Sequence, residues 1–433
     1  MRLVNIKSRA NSLADEGAPD QNRTSMSPSR FKPVRIGTVG LRHYGAYVCR
    51  LLEEHSLLPD AEVKLTAVGS TPNAPKETVE RLRAAGVRVV DGFDALLREE
   101  IEAIWIPFPI DLHREFTAKA LAAGKAVMCE KPVAGCVEEV DAMIADAKRA
   151  GLPVAIGYQD MYSPTTMLLK KRLLAGEIGR LRSITAHAAG PRGDQYYGRA
   201  AWCGKFQREG RWVLDAIANN AHAHEINLCF FLAGAEPARA AQPVAVEAEL
   251  YRSNPIETFD TVSMRLETDT GVPILVLQTH GCEFFVDSTQ VIEGEKGRVY
   301  RTRGVVVIEK DGKAEVLRPE EDIRHTMVRR FAKAVRGVED PDVALATPET
   351  SRGQVVAVNG AVEAARIVDI PASFKRMTSA YQGQCHAVVG MEAMLNLCAR
   401  RGVMFHESGL FPWTVPPSRK DLRGYTRFAG PKS

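Results

Sequence analysis

Gly40-Leu41-Arg42-His43-Tyr44-Gly45 follows the β-branched, apolar run Val34 to Val39. A strand, a tight glycine turn and a helix in that order can seat a pyrophosphate on the helix N-terminus, which is how dinucleotides are held. Gly40 and Gly45 occupy the first and third positions of the Gly-x-Gly-x-x-Gly pattern, and Arg42 occupies the second. A side chain there crowds the pyrophosphate unless the guanidinium folds aside and contacts phosphate itself; alone, the turn fits an ordinary strand-to-helix connection equally well. At the end of the second strand, where a carboxylate would hold the ribose 2′-hydroxyl of NAD, the sequence reads Gly69-Ser70-Thr71. Ser70 and Thr71, with Arg42 or Lys76 near, suit a 2′-phosphate. The expected cofactor is NAD or NADP, with a lean to NADP.

A second concentration of recognising side chains runs from residue 192 to 225. Tyr196, Tyr197, Trp202 and Trp212 alternate with Arg192, Asp194, Lys205 and Arg211. Aromatic faces beside polar groups suit a pyranose, whose C–H bonds stack while its hydroxyls hydrogen-bond; packing a domain interface suits them equally. Tyr197 and Trp202 are candidate substrate contacts. Asp215 could hold a sugar hydroxyl or cap a helix expected over Ala216 to Leu232. His222, His224, Glu225 and remote Cys203 are metal-ligand types, but residues two apart on a helix point in nearly opposite directions. No metal is expected there unless the stretch proves extended.

The elements that must position these groups fall into two regimes. Helical spacing over Ala46 to Glu54, Phe93 to Arg98 and His113 to Ala123 alternates with apolar segments Val63 to Val68, Val87 to Val90, Ala103 to Pro107 and Ala126 to Cys129. That alternation predicts a parallel sheet with helices on both faces, and Gly124 stands where a helix C-cap belongs. From about residue 180 extended segments follow one another: Leu181 to His187, Val244 to Arg252, Thr258 to Leu266, Pro273 to Thr279, Phe284 to Glu293 and Val305 to Lys310. They predict a mostly antiparallel sheet in an α+β domain, with helices over Glu321 to Arg336, Pro348 to Ala365 and Ala387 to Ala399.

The expected division is a disordered leader at 1–32, a dinucleotide domain at 33–152, a substrate and oligomerisation domain at 153–375, and a C-terminal helix and tail at 376–433. The leader holds the sequon Asn22-Arg23-Thr24 and an alternative start at Met26. A net charge of +4 from 57 basic and 53 acidic residues gives no nucleic-acid footprint, because phosphate binding needs clustered cations. No apolar run approaches the roughly 20 residues of a membrane span. Eight scattered cysteines, with no Cys-x-x-Cys pair, predict reduced thiols in a cytoplasm, and Cys129 reads as a small core residue.

Ile104 to His113, with Pro109 four residues before His113, and Ala120-Leu121-Ala122-Ala123-Gly124-Lys125-Ala126-Val127-Met128-Cys129-Glu130-Lys131-Pro132 together resemble the Gfo/Idh/MocA oxidoreductase family. Gly157-Tyr158-Gln159, Pro164, Gly176-Glu177-Ile178-Gly179 and Asn219-Asn220-Ala221-His222-Ala223-His224-Glu225-Ile226-Asn227 continue the likeness, which spans roughly residues 34 to 365. The resemblance implies a Rossmann domain followed by an open-faced, mostly antiparallel sheet, with the active site between them. It also implies a homo-oligomer.

Carried over by position, the resemblance puts Lys131 and His224 at the reacting carbon. Lys131 would orient or share the hydroxyl proton and His224 would act as general base. Asn220 stands where many members carry Asp, expected one helical turn from His224, and Met161 replaces a common Arg. The candidate catalytic residues are therefore Lys131, His224 and Asn220. Candidate cofactor contacts are Gly40, Arg42, Gly45, Ser70, Thr71, Pro109, His113, Glu130, Lys131 and Gln159. Candidate substrate contacts are Tyr158, Tyr197, Trp202, Asp215 and Asn219. The implied activity is hydride transfer between a nicotinamide and a sugar or polyol. Two alternatives stay open: redox-assisted glycoside hydrolysis or elimination with retained NAD, and a non-catalytic member of the family.

Overall fold

The computed structural model describes residues 31–318, 322–338 and 346–432. The sequon, Met26 and nearly all of the expected leader lie outside these residues. Six parallel strands form the first sheet: β1 (Val34–Val39), β2 (Val63–Ser70), β3 (Arg88–Asp91), β4 (Ala103–Ile106), β5 (Ala126–Cys129) and β6 (Val154–Ile156). Their order is β3-β2-β1-β4-β5-β6, so the chain reverses direction across the sheet between β1 and β4. Helices α1 (His43–Ser56), α2 (Lys76–Ala84), α3 (Gly92–Leu97), α4 (His113–Ala122) and α5 (Val137–Ala150) make the connections. All four residues of β4 and all four of β5 are buried, as strands covered on both faces must be. Ligands in such sheets bind where the strand order reverses, outside the carboxyl ends of the strands, and here that is the crevice above β1 and β4.

The chain then runs through α6 (Pro164–Leu174), β7 (Leu181–Ala189), the short helix α7 (Asp194–Gly198), a small hairpin of β8 (Gln207–Arg208) and β9 (Arg211–Trp212), and α8 (Ala223–Ala233). A run of strands follows: β10 (Pro243–Arg252), β11 (Thr261–Thr268), β12 (Ile274–Thr279), β13 (Val286–Gly294), β14 (Gly297–Arg301), β15 (Val306–Lys310) and β16 (Lys313–Leu317). After α9 (Ile323–Val335) and α10 (Pro348–Ala364) come β17 (Ile367–Asp369), β18 (Lys375–Ala380), β19 (Gly383–Val388), α11 (Met391–Arg401) and β20 (Ser418–Asp421). The large sheet has the order β16-β15-β14-β13-β7-β12-β11-β10-β17, with β20 also on β10. Its pairings are antiparallel except β7 with β12 and β10 with β17.

Both predicted sheets are present, and three local expectations are corrected. The helix expected from Ala216 starts only at Ala223, and residues 217–222 form turns. Asn220 and His224 therefore do not share a helix face. The helix expected over Ala387 to Ala399 starts at Met391, because Ala387 and Val388 end β19. The last 60 residues are also more than one helix and a tail. They add the β18–β19 hairpin and a buried cluster in which Leu395, Phe405, Phe411 and Trp413 pack with Tyr251, Leu275 and Leu277 of the large sheet. All eight cysteines are buried and unpaired. No helix among the described residues is long and apolar enough to cross a membrane.

Candidate active site

Gly40 turns out of β1 at φ +86, a conformation that favours glycine. At Gly45 a Cβ would meet the Gly40 carbonyl oxygen at 2.7 Å, so the first and third fingerprint glycines are both required by backbone geometry. Arg42 between them is extended (φ −132°, ψ 159°), exposed, and makes no side-chain cap on α1. The first turn of α1 carries no acidic residue either. The amides and positive dipole end of this helix therefore remain available to a phosphate, with a guanidinium alongside.

The turn opens into a cleft of about 570 Å³ between the two domains. Arg42, Gly45, Pro109, Glu130, Lys131, Gln159, Trp202, Asn220 and His224 all line it. Residues from β1–α1, the end of β4, the end of β5, the turns before α8 and α8 itself thus line one cleft. The described residues contain no cluster of three or more metal-ligating side chains.

Lys131 sits one residue past Glu130 at the carboxyl end of β5. Its Nζ donates to the Asn220 backbone oxygen at 2.7 Å and to Asn220 Oδ1 at 2.9 Å, which leaves one N–H for a ligand. Asn220 Nδ2 in turn donates to Asp215 Oδ1 at 2.6 Å, and Asp215 Oδ2 accepts from the Gly204 amide at 2.7 Å. Burial lowers the Lys131 pKa against the pull of Glu130, Asp215 and Glu225, with Arg199 adding to the lowering. Glu130 lies against Gly157, where a Cβ would come within 2.9 Å of its Oε2. Trp105 Nε1 donates to Glu130 Oε1 at 3.1 Å, and burial raises the carboxyl pKa.

His224 is held edge-on to the Tyr158 ring, with centroids 5.4 Å apart. Burial first, and the Lys131 charge second, push its pKa down to about 4. The imidazole is therefore neutral near pH 7. Its Nδ1 is buried without a hydrogen-bond partner and lies 3.9 Å from Asp160 Oδ2, and Asp160 is anchored by Arg301 at 2.5 Å. A proton arriving on His224 would meet that carboxylate.

Other expected residues stand behind the cleft. Tyr158 is buried and donates to Gln354 on α10, and Gln354 also donates to Asn219, so both brace the domain junction and touch no cleft space. His113 is fully buried with ring nitrogens 2.8 Å from the Pro132 oxygen and 2.9 Å from the Phe108 oxygen; it fixes the loops carrying Lys131 and Pro109 and does not face the cleft. Asp215 and Tyr197 border a small void of about 10 Å³ beside Asn220. Asp215 caps nothing, because α8 begins eight residues later. Gly40 shapes the turn behind the lining residues. Ser70 ends β2 and Thr71 follows it, both outside the lining of this cleft. Trp212 packs on Phe428.

The sequence reading missed His43, Tyr44, Arg199 and Arg324, all of which line the cleft. Residue types alone gave no signal for them: Arg324 comes from α9, almost 300 residues from the turn it faces. Arg199 lay inside the aromatic cluster, and its position two residues after Tyr197 was the available hint.

Comparisons with known proteins agree with the fold. A family model described as "Oxidoreductase family, NAD-binding Rossmann fold" matches residues 34–158, and the C-terminal domain model of the same Gfo/Idh/MocA group matches residues 166–300. An inositol 2-dehydrogenase of Rhizobium meliloti is 24% identical over 61% of this chain and 74% of its own length. A dTDP-3,4-didehydro-2,6-dideoxy-alpha-D-glucose 3-reductase of Streptomyces violaceoruber is 28% identical over 70% of this chain and 86% of its own. Among solved structures, a 3-ketoreductase from Actinomadura kijaniata, crystallised with NADP and TDP-benzene, superposes with a TM-score of 0.62 at 22% identity. The superposition covers 78% of this chain and all of that one.

Proposed function

Because this chain belongs to the Gfo/Idh/MocA family of oxidoreductases, we propose that it transfers a hydride between NADP and a hydroxyl-bearing carbon of a sugar or polyol. The observation that carries the reading is the Lys131 ammonium, anchored on Asn220 with one N–H free, lining the same cleft as the neutral His224. The relatives named for inositol and for a dTDP-sugar support the substrate class.

The dinucleotide fits the residues present. Gly40, Gly45 and the free end of α1 would receive the pyrophosphate with Arg42 beside it. Pro109, Glu130 and Gln159 would border the nicotinamide end, and Ser70 and Thr71 place no carboxylate against a 2′-phosphate. When bound, the nicotinamide supplies the hydride acceptor or donor.

The protein's task is to fix the carbon and manage one proton. A proton carrier works best with a pKa near the working pH. His224, near 4, lies well below that range, whereas burial moves Lys131 down from its ordinary value, towards it. In this reading Lys131 exchanges the hydroxyl proton, one of the two roles expected of it, and takes over the general-base role expected of His224. His224 receives a hydrogen bond from the substrate and, backed by Asp160, orients it.

Purified protein mixed with NADP and a panel of aldoses, polyols and inositols tests this reading. Reduced nicotinamide should accumulate in solution over many turnovers with at least one of them. Failure of every combination, or product formation with the nucleotide retained and unchanged, would contradict net hydride transfer.

A further inference from the structure

The substrate half of the cleft is lined by one cation that no described carboxylate pairs with. Arg199 follows α7 directly. Its guanidinium lies 3.7 Å from the Tyr196 ring centroid and 5.1 Å from that of Trp202. Tyr196 is itself backed on another side by Arg192, 5.1 Å from its centroid. Stacking holds the Arg199 plane while leaving the N–H groups at its edge free, apart from the one directed to the Tyr196 carbonyl at 2.5 Å.

The charge balance around it is one-sided. Arg42, Lys131, Arg199 and Arg324 line the cleft, and Glu130 is the sole carboxylate among its lining residues. Arg42 lies at the phosphate turn and Lys131 at the reacting carbon. Arg199 lies over Tyr196 and near Trp202, and Tyr196 also borders the void beside Asp215 and Asn220, the partner of Lys131. A guanidinium kept at an open wall, with no ion pair to a carboxylate among the described residues, is a ready fork for a planar or tetrahedral oxyanion.

The wall itself is rigidly mounted. Asp194 at the start of α7 accepts from the Gln384 amide at 3.0 Å, and the Tyr196 amide donates to the Gln382 oxygen at 3.3 Å, so the β18–β19 turn grips the helix that leads to Arg199. A Cβ at Gly193 would meet the Gln382 oxygen at 2.4 Å, which records how close that contact is.

We infer that the sugar substrate carries an anionic group, a carboxylate or a phosphate, and that Arg199 on its Tyr196–Trp202 stack binds it. The inference rests on the hydride-transfer reading above and narrows its substrate class.

The test is calorimetric titration of the NADP-saturated protein with glucuronate, glucose 6-phosphate and glucose, in wild type and Arg199→Gln, alongside nicotinamide turnover with the same compounds. At least one of the two acids should bind ten-fold or more tightly than glucose. Which acid does so distinguishes a sugar acid from a sugar phosphate. Arg199→Gln should erase the preference while leaving NADP affinity within about three-fold. Equal binding of glucose and both acids, no binding of either acid, or a preference that survives Arg199→Gln would each overturn the inference. If the neutral sugar is turned over with no gain from charge, this inference fails and hydride transfer stands; if no sugar is turned over, the failure lies in that reading.

Discussion

Two basic groups line one cleft, and burial pushes both the same way. Burial drives His224 down to about 4 and lowers Lys131 from its ordinary 10.5, so His224 is neutral near pH 7 and Lys131 gives up its proton more readily than a free lysine. For alcohol oxidation Lys131 must first lose its proton. The rate should therefore rise with pH through a single limb below 10.5 and lack any limb near 4, where His224 titrates. A pH–rate profile of kcat checks this, and a rising limb near 4 would return the base role to His224. Glu130 holds Lys131 up, so Glu130→Gln should move the limb to lower pH, by about one unit or more. An unmoved limb would mean that the Glu130 carboxyl is already neutral.

At this scale the sequence was most informative where a motif fixed several residues together. Glu130, Lys131, Gln159, Asn220 and His224 reach one cleft as carried over. Tyr158 and Asn219 belong to the same motifs but face away, because a motif records adjacency in the chain and not the direction of each side chain.

Elements determine which of these groups meet. The turns at 217–222 show why helical periodicity misled: Ala216, Ile217 and Ala218 are buried apolar residues, yet the backbone there is bent to bring the Asn220 oxygen onto Lys131. The hairpin of β18 and β19 escaped notice for another reason. Its turn places left-handed conformations on Gln382 and Gly383 without the Asn-Gly or Asp-Gly pair that announces such turns. That hairpin matters for the site, since it clamps α7. At Gly383, with φ +106°, a Cβ would sit inside contact distance of Asp194 Oδ1. Gly383→Ala should raise the substrate KM by about ten-fold and leave the NADP Kd unchanged, at a backbone cost of roughly 1–3 kcal/mol. An unchanged KM would detach the hairpin from the site.

Alternation of strands with helices made the first sheet legible, and clustered extended segments made the second so. What local patterns could not convey is the packing between distant segments: α10 joining Tyr158 and Asn219 through Gln354, or the C-terminal chain lying on the large sheet. That C-terminal cover is buried tightly, with Phe405 fully enclosed. Phe405→Ala should cost about 3–5 kcal/mol in denaturant unfolding, whereas a loss below about 1 kcal/mol would mean that the segment contributes little to the fold. The cover also occupies sheet surface around Tyr251, Leu275 and Leu277, so any association of copies must use other surface.

Lys131 acts at the reacting carbon in the proposed reaction rather than holding the cofactor. Lys131→Met, measured for NADP affinity by titration and for turnover by reduced-nicotinamide formation, separates the two. We predict a Kd within about three-fold of wild type and a kcat lower by about 10²–10⁴-fold, the range of proton-transfer catalysis. Turnover retained within ten-fold, or affinity and turnover lost in equal measure, would contradict the assignment.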